Sequence, residues 1–278
     1  MKHIPEEIEQ YRDHKWRREE SLRVETVEQV EAMVEELGFC LALTDERKRM
    51  PSVYIAVCGR RDAHMPRNVQ KDPEASAAWV LKDEVIARGK VYYAKLVKGH
   101  AMFLAPRMIP VFNSIWGCSK TGESGILSKN ALVVLKVLRN EWEMATADLR
   151  DACGFSDKGQ LTKAIDELQR RMKVIPQEVV YVPKFTYIWT VAEARFPNEL
   201  STRIPRDEAV YLLARTYLEA FGMTLRAELA GKFGLTRAEA GKANHRLVDE
   251  GVAERIDTGI YRLAGDLHGA QTKGLERV

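Results

Sequence analysis

An α+β, mainly helical fold, with tandem winged helix-turn-helix domains behind an N-terminal α+β module, is predicted for this 278-residue chain. Three observations predict it. Apolar residues make up 45% of the sequence and charged residues 30%, the balance of a globular protein with a buried core. The first third of the chain mixes helical and strand periodicities. From Ser128 onward the order helix, helix, helix, hairpin occurs twice. That is the order of a winged helix, and its spacing of about 80 residues is too long for a solenoid repeat.

In the first module, residues 1–119, Thr26 caps a helix whose apolar residues Val27, Val30, Val34 and Leu37 recur at helical spacing, and Gly38 ends it. Phe39 to Leu43 reads as a buried strand. Asp72 followed by Pro73 opens a second helix that runs through Trp79 to about Arg88. Lys90 to Val97 and His100 to Leu104 form a hairpin around Lys98-Gly99, and the Thr26 helix with the Val91 to Leu104 hairpin would allow a third winged helix. The second module, 120–196, has Ser128 ahead of an apolar stripe (Ala131, Leu132, Leu135, Leu138, Trp142), then a short helix opened by Thr146. A third helix opened by Ser156 carries Leu161, Ile165, Leu168 and Met172. Val174 to Val182 and Phe185 to Val191 are its hairpin.

Pro197 to Pro205 reads as a linker. The third module, 206–264, has a long helix ended by Gly222, a short helix capped by Thr224, and a third opened by the capping box Thr236-x-x-Glu239. A hairpin then turns at Asp257-Thr258-Gly259. Residues 265–278 read as a tail.

Several function classes are excluded by what the sequence lacks. No apolar run reaches the roughly 20 residues of a membrane span, and the charged N-terminus has no apolar h-region, so a cytoplasmic protein is expected. Cys40, Cys58, Cys118 and Cys153 are scattered without ligand spacing, so no zinc site or disulfide framework is expected. No GxGxxG, GxSxG or HExxH motif is present, and no cofactor is expected. Gly117-Cys118-Ser119-Lys120-Thr121-Gly122 has the residue types of a phosphate loop in the wrong order and reads as a linker.

The net charge of +3 is uninformative by itself, because clustering creates a binding field. In a winged helix the third helix enters the major groove, so its outward residues are the candidates. These are Lys163 and Arg170 in the second module, beside Asp166 and Glu167, and Arg237, Lys242, His245 and Arg246 in the third. A loop with Arg60, Arg61, His64 and Arg67, set between a strand ending near Cys58 and the next helix, suits a phosphate. Tyr181, Phe185, Tyr187 and Trp189 crowd the first hairpin, where covering a small core is the stronger reading than stacking on bases.

The segment Glu36-Leu37-Gly38-Phe39, the stretch from Asp83-Glu84 to Tyr92-Tyr93 after Trp79, and the later winged helices together resemble the AlkZ/YcaQ family of bacterial DNA glycosylases. The resemblance implies a winged-helix protein acting on DNA. It also implies a Gln-x-Gln or Gln-x-Asp motif just after the Leu-Gly turn, which positions the attacking water in that family. Here Leu41 and Leu43 stand at those places, and leucine can neither orient water nor stabilise an oxocarbenium-like centre. Asp45, Glu46, Asp83 or Glu84 would have to supply a displaced carboxylate. The expectation is therefore a non-catalytic protein that binds double-stranded DNA through Lys163, Arg170, Arg237, Lys242, His245 and Arg246, with Arg60, Arg61 and Arg67 as an auxiliary phosphate site. The alternatives are a glycosylase with a non-standard site and a protein–protein assembly module.

Overall fold

The computed structural model describes residues 4–265, so the tail expected from residue 265 lies, apart from Gly265 itself, outside the described residues. An N-terminal helix, α1 (Glu6–Lys15), precedes three passes of one topology. The first pass is α2 (Val27–Leu37), β1 (Phe39–Leu41), α3 (Val53–Cys58), α4 (Pro73–Arg88), β2 (Tyr92–Lys95) and β3 (Ala101–Leu104). Two connecting helices, α5 (Ile109–Trp116) and α6 (Glu123–Ile126), lead to the second. It comprises α7 (Lys129–Glu141), β4 (Glu143–Ala145), α8 (Thr146–Ala152), α9 (Lys158–Arg170), β5 (Val174–Val180) and β6 (Thr186–Val191). After α10 (Ala192–Arg195) and α11 (Pro197–Ser201), the third is α12 (Arg206–Phe221), β7 (Met223–Thr224), α13 (Glu228–Phe233), α14 (Arg237–Asp249), β8 (Ala253–Asp257) and β9 (Ile260–Leu263).

In every pass the last strand lies between the other two, giving antiparallel sheets β1-β3-β2, β4-β6-β5 and β7-β9-β8. The first module therefore contains the helix–strand–helix–helix–hairpin order that its sequence only hinted at. The missing piece was Val53–Cys58. Its β-branched run reads as a strand, but Ser52 Oγ accepts from Ile55 N at 3.1 Å, Gly59 turns out at φ 60°, and all six residues are buried, as in a short core helix.

Other boundaries move for local reasons. The strand expected through Leu43 stops at Leu41, where the backbone N–H turns aside to Pro51 O at 2.9 Å. Asp157, not Ser156, caps α9 by accepting from Gly159 N. Thr224 pairs with Tyr261 in β7 instead of capping a helix, and α13 starts only at Glu228, whose carboxylate accepts from Leu225 N at 2.9 Å. The Pro197 to Pro205 linker contains α11. Trp142, expected on the buried stripe of α7, lies just past its end and is 68% exposed, while Val134 takes a place in the core.

Two cores result. The second pass packs about itself through Val134, Leu135, Leu138, Leu161, Ile165, Leu168 and Trp189. The first and third share one core, in which Phe39, Phe112, Tyr217, Phe221 and Phe233 meet ring to ring. Helix α1 holds the junction by capping α12. The last carbonyls of α12 have no intrahelical donor, and three side chains supply one: Tyr11 OH to Glu219 O, Trp16 Nε1 to Ala220 O at 2.8 Å, and Arg12 Nε to Phe221 O at 2.9 Å. Arg12 is 2% exposed and also reaches Met223 O at 3.3 Å. Arg12→Met keeps the volume and strips these donors, so it is expected to destabilise the fold by about 2–4 kcal/mol, read as a lowered urea midpoint.

Glu123 of α6 joins the connecting segment to the second pass. Burial by itself would raise its carboxyl, but hydrogen bonds from Arg139 at 2.7 and 2.8 Å and from Lys173 at 2.7 Å hold it down at about 2, against an ordinary value of 4.5. A folded value below the unfolded one stabilises fully above about pH 4.5 and is lost as pH falls toward 2. Glu123→Gln should flatten that acid limb of stability, as followed by thermal melts between pH 6 and about pH 3.

Candidate nucleic-acid interface

Each pass ends its helical part on a third helix, and the three are used differently. Helix α4 is not free. Its outward face carries Trp79, Lys82 and Asp83, and the β5–β6 hairpin closes over it. Trp79 Nε1 donates to Tyr181 OH at 3.1 Å, Tyr181 OH donates to Asp83, and Trp79 and Phe185 lie 6.3 Å apart. Of the four hairpin aromatics, Trp189 is buried in the core of the second pass and Tyr187 packs against it, as expected, whereas Tyr181 and Phe185 are exposed and lie against the neighbouring helix instead of covering a small core. Lys82 ends up 2% exposed, bonded to Asp83 and Tyr187 OH, with its ammonium 4.6 Å from the Trp79 ring centroid.

Helix α9 does present a face to solvent. Lys163 and Arg170 are exposed and seven residues apart, so they share one stripe two turns long. The two neighbouring carboxylates are turned to other tasks. Asp166 takes Lys95 Nζ at 3.0 Å, and Glu167 accepts from the backbone and hydroxyl of Ser128 at 2.8 and 2.6 Å. Lys158, at the exposed first position of α9, adds a cation that the sequence reading passed over because it sits before the apolar stripe begins.

On α14, Arg237, Lys242 and His245 are exposed. Lys242 lies 4.0 Å from Asp207 with both side chains mostly in solvent, and the His245 ring meets Tyr261 edge-on at 5.9 Å. Arg246 is spent. Its guanidinium stacks 3.7 Å from the Tyr211 ring centroid and is paired with both Glu208 and Glu250.

The Arg60 loop is spent in the same way. Arg60 grips Glu74 with two nitrogens, and Arg61 clamps Asp13, with Nε at 2.9 and 2.8 Å, and Glu6 at 2.8 Å. These pairs tie the loop to α4 and α1. Arg67 is exposed and has no ion-pair partner among the described residues. The expected auxiliary site thus divides into two internal braces and one available cation. Their partners lie up to 55 residues away in sequence, out of reach of any local reading.

The candidate catalytic positions are equally definite. Leu41 is buried in β1 opposite Met102, and Leu43 is half-buried beyond it. Asp45 accepts from Arg47 N at 3.3 Å, Arg47 Nε at 2.9 Å and Met65 N at 3.2 Å, which makes it a loop cap. Asp83 is committed to Lys82 and Tyr181, and Glu46 faces His64 at 3.6 Å. Of the four, only Glu84 on α4 is exposed without a partner among the described residues. Among those residues no His, Cys, Asp and Glu cluster could hold a metal, all four cysteines are free thiols, and no helix is long and apolar enough to cross a membrane.

The chain matches the family model described as AlkZ related over residues 24–203, which spans the first two passes. Among solved structures it is similar to the Streptomyces sahachiroi DNA glycosylase AlkZ, at 13% identity and a TM-score of 0.57, over 98% of this chain and 72% of that one. That likeness is one of fold. The DIP2311 protein from Corynebacterium diphtheriae aligns at 14% identity and a TM-score of 0.21, over 69% of this chain and 39% of that one. No curated protein matches.

Proposed function

This chain belongs to the AlkZ-related family, and we propose that it is a cytoplasmic, non-catalytic DNA-binding protein whose three passes are winged helices. The observation that carries this reading is the pair of solvent-facing cationic helices. Lys163 and Arg170 on α9 have neighbouring carboxylates engaged elsewhere, and Arg237, Lys242 and His245 on α14 stand exposed. Cations so placed on third helices contact phosphates and base edges of double-stranded DNA. Arg67 adds a backbone contact, whereas Arg60, Arg61 and Arg246 brace the fold. Titration of a labelled duplex at rising salt tests the reading: binding that falls steeply with salt is expected, and no binding at about 50 mM salt overturns it.

A base-excision reading has one observation in its favour, the unpartnered carboxylate of Glu84. Leu41 and Leu43 speak against it, because no polar group stands where the family's water-positioning pair would be. Release of free base from alkylated or crosslinked DNA by the purified chain, abolished in Glu84→Gln, would replace the binder by an enzyme.

A further inference from the structure

The three passes offer an internal comparison at one position. In each, the first helix is followed by a single residue of positive φ and then by the first strand. The residue is Gly38 in the first pass, at φ 81° and ψ −34°, and Gly222 in the third, at φ 69° and ψ −27°. In the second it is Trp142, at φ 68° and ψ −49°. Glycine adopts this conformation freely, whereas a bulky aromatic is an outlier there. Neighbouring bonds hold Trp142 in place: its N–H donates to Leu138 O at 2.9 Å and its carbonyl accepts from Thr190 Oγ1 at 2.8 Å. The strained backbone is not repaid by burial, since the indole is 68% exposed.

What the indole does is line a cleft of about 880 Å³ between the end of α7, the Gly117–Lys120 loop and the segment after α11. Four cations share the cleft. Arg139 and Lys173 are committed to Glu123, Lys120 lies 3.4 Å from Glu193, and Arg203 is exposed with no partner among the described residues. A flat aromatic face and an available guanidinium lining one cleft match a base and its phosphate, the combination by which single strands are held.

We infer that this cleft binds an unpaired nucleotide of single-stranded DNA, with the base stacked on Trp142 and the phosphate met by Arg203 and Lys120. The inference rests on the DNA-binding reading above but uses a different surface from α9 and α14. The experiment is titration of the full chain with a twelve-residue oligothymidylate, followed by quenching of tryptophan fluorescence and by anisotropy. Trp142→Gly and Trp142→Ala should weaken binding by about 5- to 150-fold, the loss of one stacked base, while Trp142→Phe should retain most of it. Arg203→Ala should weaken binding and reduce its salt dependence. Trp142→Gly should also melt no lower than the parent chain, because glycine takes this backbone without strain. Lys163→Glu with Lys242→Glu should leave oligothymidylate binding intact while impairing the duplex, so the two readings fail separately. Oligothymidylate affinity unchanged in a folded Trp142→Gly chain, or absent in the parent, would overturn the inference.

Discussion

Asp83→Ala is expected to destabilise the chain by about 3–5 kcal/mol, read as a loss of urea midpoint at unchanged slope. Lys82 is 2% exposed, and Asp83 is its carboxylate partner among the described residues. Removing Asp83 leaves a buried ammonium facing aromatic rings and strips the acceptor from Tyr181 OH. The rings supply some compensation, since Lys82 Nζ lies 4.6 Å from the Trp79 centroid, 5.5 Å from Tyr187 and 5.9 Å from Tyr93. Desolvated cation–π contacts are worth about 2 kcal/mol, which is less than the cost of an uncompensated buried charge. A measured loss below about 2 kcal/mol would mean that the rings, not the carboxylate, hold the lysine. Removing both charges distinguishes the two as well. Lys82→Met with Asp83→Asn should recover most of the loss, because replacing a buried pair by neutral groups of similar volume is often neutral. The pair clamps α4 to the neighbouring hairpin, so Asp83→Ala should loosen that seam before it touches either core.

That seam also explains what the sequence conveyed and what it withheld. The second and third passes were legible because their helices bury one stripe each, as in Leu161, Ile165 and Leu168 of α9, and the capping box of Thr236 and Glu239 stands where expected, although Asp157 takes the cap expected of Ser156 and Thr224 joins a strand. The first pass was only half legible. Its α3 is buried on every side, which erases helical periodicity. Its α4 is covered by the neighbouring hairpin as well as by the core, leaving only a stripe with Val80 and Glu84 exposed, so polar Lys82 and Asp83 lie inside where residue type alone places them outside. Trp142 misled in the opposite sense: its spacing from Leu138 continues an apolar stripe, but the helix ends at Glu141 and a positive φ swings the indole outward. For the cationic candidates, residue type was legible and availability was not. Arg60, Arg61 and Arg246 look like Lys163 and Arg237 in sequence, and only the fold brings Glu74, Asp13 and Glu208 against them.

That difference in availability gives the second large effect. If Lys163, Arg170, Arg237 and Lys242 neutralise about four phosphates, duplex affinity should fall with a log–log salt slope near −3.6, or roughly 150-fold between 50 and 200 mM salt. Lys163→Glu with Arg170→Glu should lower that slope by about 2 and weaken all duplex sequences alike, since phosphate contacts carry no sequence information. Arg237→Glu with Lys242→Glu should do the same from the other helix. Arg60→Gln and Arg246→Gln provide the contrast. Their guanidinium groups are already matched to Glu74 and to Glu208 and Glu250, so no counterion-linked contact is lost, and the salt slope should stay at the parent value. A slope reduced by Arg60→Gln or Arg246→Gln, and untouched by the α9 and α14 pairs, would place the DNA on the braced surface and remove these helices from the interface.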